Sequence, residues 1–329
     1  RRQAVNLKKV IPPAMLIAQL VFVAEALPSP SADTPADQAA PSPVAQESRS
    51  AGWFPSTRLF HVLMADPRRT VFSGFFRYGD TAFDRYKKKP SGENTGIMAE
   101  ERLFGMVSAA GRLPLYRWKL PQGFLQAGCE GGVWALFAFK GMTGSDEMST
   151  MLNADYLLGF PVEYAWKDLA VQFRLYHVST HVGDELLVDY PDLKRINLSY
   201  EAVELFVSYY IIPQIRAFFG LGCVIHHAQE GTFEPVYFEY GMEFRPFAQM
   251  RAGKGIWWQP FAALYFRNRQ YNNWSIAGNY SLGIEFLPEK KLMNTRFQIC
   301  IECYHGKSFE GQFYHNKTSF LSLGVCFEL

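Results

Sequence analysis

In this 329-residue chain, the groups best suited to attack an acyl carbon and move a proton are His177-Val178-Ser179-Thr180-His181, followed by Gly183-Asp184-Glu185. On a strand, residues two apart share a face and sit about 6.6 Å apart, so His177 and Ser179 could serve as a base and its nucleophile. Asp184, Glu185 and Asp189 are then the candidates for the acidic group that orients the imidazole. His177 and His181 lie about 13 Å apart along a regular strand, too far to hold one metal unless Gly183 breaks the strand.

The strand reading rests on a period of two. Val171, Phe173 and Leu175 share the parity of His177, whereas Gln172 and Arg174 have the other. A regular strand therefore turns His177, Ser179 and His181 toward the same side as three large apolar residues. The pattern recurs from about Thr57 to the end. Leu321, Leu323, Val325, Phe327 and Leu329 oppose Ser322, Gly324, Cys326 and Glu328, and Val236, Phe238, Tyr240, Met242 and Phe244 oppose Tyr237, Glu239, Gly241, Glu243 and Arg245. The opposite faces carry Arg174, Arg216, Glu239, Glu243, Arg245, Arg296 and Glu302, charges that pair or meet water in an enclosed lumen.

These features predict an all-β fold, a transmembrane antiparallel up-and-down β-barrel of about twelve strands. The strands are expected near 70–79, 102–117, 121–139, 154–165, 168–183, 194–211, 214–227, 233–248, 256–268, 273–287, 293–305 and 318–329. Short and long connections alternate between them, as expected with short turns in the periplasm and long loops outside. Trp118, Trp166, Trp257 and Trp258 then mark the inner rim. The site lies at the outer rim, where His177, His181, His226, His227, His305 and His315 gather, six of the chain's seven histidines.

The start of the chain reads as an export signal over residues 1–26. Arg1, Arg2, Lys8 and Lys9 precede the apolar stretch from Val10 to Ala24, and Ala24-Glu25-Ala26 fits a small-x-small cleavage site. Residues 27–56, rich in Pro, Ala and Ser, are expected to form a disordered linker, and 57–329 the barrel. The net charge of +2 implies no nucleic-acid partner. The five cysteines show no disulfide framework. Cys300 and Cys303 have metal-like spacing but opposite parity, so no metal site and no cofactor is expected from them. Glu201 and Glu204 likewise differ in parity and are not read as paired carboxylates.

Three resemblances follow from particular segments. Ser322-Leu-Gly324-Val-Cys-Phe327-Glu-Leu329 resembles the terminal assembly signature of bacterial outer-membrane barrels, which implies the assembly machinery as a partner. Tyr176–Glu185, with Arg195–Glu204 and Leu59–Pro67, resembles a bacterial family called domain of unknown function 1207. That family implies an outer-membrane barrel and no assigned activity. His177-Val-Ser179-Thr180 is similar in part to the His-x-Ser-Asn motif of outer-membrane lipid A deacylases, with Thr180 in place of Asn. Membrane lipid and lipopolysaccharide are the partners implied.

Three functions fit the sequence. The first is a structural or passive transport barrel in the bacterial outer membrane. The second is a lipid acyl-ester hydrolase at the outer-leaflet rim using Ser179, His177 and Asp184 or Glu185. The third is a surface ligand or metal receptor built on the histidine-rich loops. In the first, His177 and Ser179 are ordinary rim residues.

Overall fold

The structure, a computed structural model, describes residues 50–80, 103–139, 150–189, 193, 195–228, 234–253, 255–288 and 296–328. The signal and most of the linker expected over residues 1–56 lie outside the described residues, as does Leu329.

Fourteen strands form one sheet: β1 Gly52–Trp53, β2 Phe72–Asp80, β3 Leu103–Lys119, β4 Phe124–Ala138, β5 Thr150–Trp166, β6 Leu169–Val182, β7 Ser199–Ile212, β8 Ile215–His227, β9 Val236–Phe244, β10 Met250–Gly253, β11 Ile256–Arg269, β12 Ile276–Pro288, β13 Arg296–Lys307 and β14 Lys317–Glu328. β1 and β10 are short additions paired to β3 and β11, and the other twelve are the staves of the wall. Each stave pairs antiparallel with its neighbours, and β14 pairs with β2, closing the sheet. Closure gives each stave a hydrogen-bonded neighbour on both sides, the condition for crossing hydrocarbon as strands. A helix α1, Asp184–Asp189, follows β6.

The alternation in sequence becomes two chemically distinct walls. On β14, Leu321, Leu323, Val325 and Phe327 are exposed on the outside, and Ser322, Cys326 and Glu328 are buried inside. Trp118 and Trp166 stand exposed at the end of the short turns, joined by Trp53 and Phe54 beside β3. The short turns and aromatic rim mark the periplasmic end, so the N-terminal end of β7 and the C-terminal ends of β6 and β8 lie at the extracellular end. Cys300 is buried and Cys303 exposed, opposite faces as their parity requires.

Residues 57–71 do not join the wall. They fill the lumen, held by strand side chains. Glu163 accepts hydrogen bonds from the Leu59 and Phe60 amides (2.9 and 3.2 Å), Glu243 accepts one from the Met64 amide (2.8 Å), and Arg216 donates to the His61 carbonyl (2.9 Å). Asn279 donates to the Ala65 carbonyl, and Arg69 pairs with Glu302. The segment has no strand pattern because its backbone is satisfied by charged side chains rather than by a neighbouring strand. Phe60 packs on Phe206, which packs on Phe218, itself against Tyr265, so an apolar seam accompanies the charges. From the outer end, the 308–316 loop folds inward. Arg77 donates to Glu310 at 2.6 Å, and the Gly311 amide points at Asp155.

Candidate functional site

The outer wall at the extracellular end of β6, β7 and β8 carries His177 and Ser179 together with Glu201 and His226. β6 stays regular to Val182, so its odd residues face outward. Phe173 and Leu175 are exposed, Gln172 and Tyr176 are buried inside, and His177 and Ser179 are partly exposed on the lipid side. β7 runs antiparallel beside it in a register that places Glu201 opposite His177 and Ser199 opposite Ser179. Glu201 shares the outward face with Leu205, Val207 and Tyr209, whereas Glu204 points into the lumen and is buried.

This register makes the key contact. His177 Nδ1 donates to Glu201 Oε1 at 2.7 Å. A proton held on Nδ1 by a carboxylate leaves Nε2 with its lone pair, the tautomer a general base needs. Ser179 lies two residues along the same face. Among the described residues it makes no hydrogen bond to His177, and such contacts in unliganded sites often tighten only around substrate. His226 on β8 donates from Nδ1 to the other Glu201 oxygen. The side chains of His177, Glu201 and His226 are 41, 37 and 74% exposed, so the cluster is open to the membrane surface.

Asp184 makes no contact with His177 among the described residues. It is exposed at the start of α1, seven residues beyond His177, and the carboxylate bonded to His177 is Glu201. Glu185 and Asp189 lie in the same helix, whose Leu186 is buried in the core cluster. Leu158 stands opposite His177 on β5 and is exposed, and Phe160 is exposed below it toward mid-membrane. Tyr156, opposite Ser179, meets His181 edge-on at 5.5 Å between ring centroids. The apolar belt therefore reaches the site from below, and polar and aromatic groups continue above it.

The other histidines do not converge. His305 Nδ1 meets Ser319 Oγ at 2.7 Å, and His315 packs on the Tyr314 ring. Among the described residues no group of three His, Cys, Asp or Glu side chains could hold a metal ion.

Inside, the wall behind the site is a packed ionic network. Glu130 and Glu204 both bind Arg174, Tyr237 donates to Glu204 (2.9 Å), and the Tyr176 and Tyr237 hydroxyls meet at 2.5 Å. Gly222 faces the Tyr237 ring, where an added Cβ would come within 1.9 Å, so no larger residue fits there. A cavity of about 70 Å³ remains, bounded by Arg174, Tyr176, Glu204, Arg267 and Arg269 among others.

A fold of this class, a closed twelve-stave barrel with an apolar exterior, is that of a bacterial outer-membrane β-barrel. The chain belongs to the family described as "Protein of unknown function (DUF1207)", whose profile matches residues 1–329. A comparison with curated proteins finds no match. Among solved structures, the outer membrane phospholipase A of Escherichia coli is similar with a TM-score of 0.52 and 10% identity, covering 83% of this chain and 95% of that one. The Salmonella typhi outer membrane phospholipase dimer with bound calcium has a TM-score of 0.51 at 11% identity, covering 79% and 90%. LpxR from Salmonella typhimurium has a TM-score of 0.38 at 11% identity, covering 79% and 100%. At these identities the similarity to the phospholipases is one of fold.

Proposed function

We propose that this barrel is a serine-type acyl-ester hydrolase acting on lipids of the outer leaflet. The observation that carries the reading is the 2.7 Å contact between His177 Nδ1 and Glu201 Oε1, on the same outward face as Ser179. It supplies base, orienting acid and nucleophile from two adjacent strands. A lone carboxylate on a lipid-facing surface is costly, and it is retained there beside a serine and an imidazole rather than in the lumen.

In the reaction, Ser179 Oγ attacks the ester carbonyl carbon while His177 Nε2 takes the hydroxyl proton. The Nδ1 proton stays with His177 and is held by Glu201, which stabilises the imidazolium. The tetrahedral intermediate collapses, the C–O bond to the alcohol breaks, and His177 returns the proton to the departing alkoxide. Water, deprotonated by His177, then attacks the acyl-serine, releasing the fatty acid and restoring Ser179. The substrate class follows from position: the site sits where the exposed apolar wall gives way to polar residues, the level of an acyl ester beneath its headgroup. The similar phospholipase barrels support a lipid ester as substrate. Residues 57–71 and the Arg174–Glu204 network occupy the lumen behind the site, which weighs the reading away from passive transport.

Lipid mass spectrometry of cells expressing the wild type and Ser179→Ala tests this. Lysolipid or a deacylated lipid A species should accumulate with the wild type alone. Identical lipid profiles, with both proteins present as folded barrels, would sink the hydrolase.

A further inference from the structure

β8 should not present His226 to the membrane at all. Its even residues Arg216, Phe218, Gly220, Gly222 and Val224 are buried toward the lumen, and its odd residues Phe219, Leu221 and Ile225 are exposed outside. A regular strand would carry His226 inward with Val224. The register breaks at that point: Ala202 pairs with Val224, but Glu201 pairs with His226, so Ile225 is an extra residue in β8. Such a bulge turns two successive side chains to one side, and both Ile225 and His226 are exposed. The bulge forgoes regular pairing between β7 and β8, while on the other side Val224 still donates to the Pro235 carbonyl (3.0 Å). The bulge brings His226 Nδ1 to Glu201 Oε2.

That contact completes the coordination of Glu201. Without it, one carboxylate oxygen holds His177 and the other faces lipid or water. The carboxylate can then rotate, and the imidazole loses its fixed plane. With it, each oxygen has its own N–H donor from a different flanking strand. We infer that His226 is a positioning residue, delivered by the β8 bulge to lock Glu201 against His177 in the hydrolytic site. The inference rests on the Ser179–His177–Glu201 reading above. His226 acts through Glu201 and has no part in bond making or breaking.

The test uses the full-length barrel in detergent, with para-nitrophenyl palmitate in mixed micelles as the probe. Wild type, Ser179→Ala, His226→Ala and His226→Asn are compared. Asn places an amide N–H near the position of the imidazole Nδ1, so it can still donate to Glu201. His226→Ala should lower kcat by about tenfold, the loss expected for one hydrogen bond to a charged group. KM should stay within about twofold, since substrate binding is untouched. His226→Asn should recover most of kcat. Wild-type kcat in His226→Ala, or equal impairment of the Ala and Asn variants, would overturn the positioning role. Undiminished hydrolysis by Ser179→Ala would instead remove the underlying reading, and the positioning role with it.

Discussion

β6 and β7 make two acid–base contacts only three residues apart, one on each side of the same wall. Inside, Arg174 donates to Glu204 at 2.6 Å; outside, His177 donates to Glu201 at 2.7 Å. Both are directly opposed register pairs. Inside, Glu204 is buried and the pair is tied further to Glu130 and Tyr237. Outside, both side chains are more than a third exposed, and the carboxylate's partner is an imidazole beside a serine. An arginine cannot give up its proton, so the inner pair holds the barrel together. An imidazole can, so the outer pair is fit for proton transfer. The same geometry thus serves structure on one face and chemistry on the other, and the side of the wall decides which.

The comparison can be broken by removing each carboxylate in turn. Glu204→Ala leaves Arg174 with a lost partner in a buried network, and should cost about 3 kcal/mol of stability, at the lower end for breaking a buried pair because Glu130 remains. Urea unfolding of the barrel in detergent reads this, and ester hydrolysis by the folded protein should stay at the wild-type level. Glu201→Ala should do the opposite. An exposed hydrogen-bonded pair of this kind contributes about 1 kcal/mol or less, so unfolding should barely move. Hydrolysis should fall by about a hundredfold as His177 loses its orientation. If Glu204→Ala abolished activity at unchanged stability, or Glu201→Ala unfolded the barrel, the division between the faces would be wrong.

A smaller effect sharpens the picture of the inner network at its outer end. Burial raises the Glu310 carboxyl, but Arg77 and the Ser308 hydroxyl outweigh this and hold it below the usual carboxylate range. A depressed folded-state value contributes stability above the unfolded value and loses it as pH falls through the folded one. The wild type should therefore lose thermal stability on acidification below the normal carboxylate range. Glu310→Gln should lose less over the same range, a difference of about 1 kcal/mol. Melting temperatures measured from neutral to acidic pH, with equal slopes for the two proteins, would contradict this role.

Much of the wall was legible because its physics is local. The side-chain period of two identified the outward parity of His177 and Ser179 and the inward parity of Arg174. The observed staves fall within a few residues of those read from the pattern, as in Ile215–His227 against 214–227. What was not legible depended on register and irregularity. Glu201 lies opposite His177 through the register of β6 against β7, and no single sequence displays that. Asp184 and Glu185 are nearer in the chain, but they follow β6 and have no such register pair. A signal was available: Glu201 is a carboxylate in the outward parity of Val203, Leu205, Val207 and Tyr209, where lipid makes a charge costly. His226 was hidden by the bulge, which reverses its parity. The 57–71 segment was hidden because a chain that fills a lumen has no alternation of its own.

The central claim is that Ser179 is an activated nucleophile on the outer wall. The most direct measurement is exposure of the folded, detergent-solubilised barrel to a fluorophosphonate, followed by peptide mass mapping. The account predicts one phosphonylated residue, Ser179, with labelling lost in Ser179→Ala and strongly slowed in His177→Ala and Glu201→Ala. A folded barrel that leaves Ser179 unmodified, or labels equally fast without His177, would contradict it.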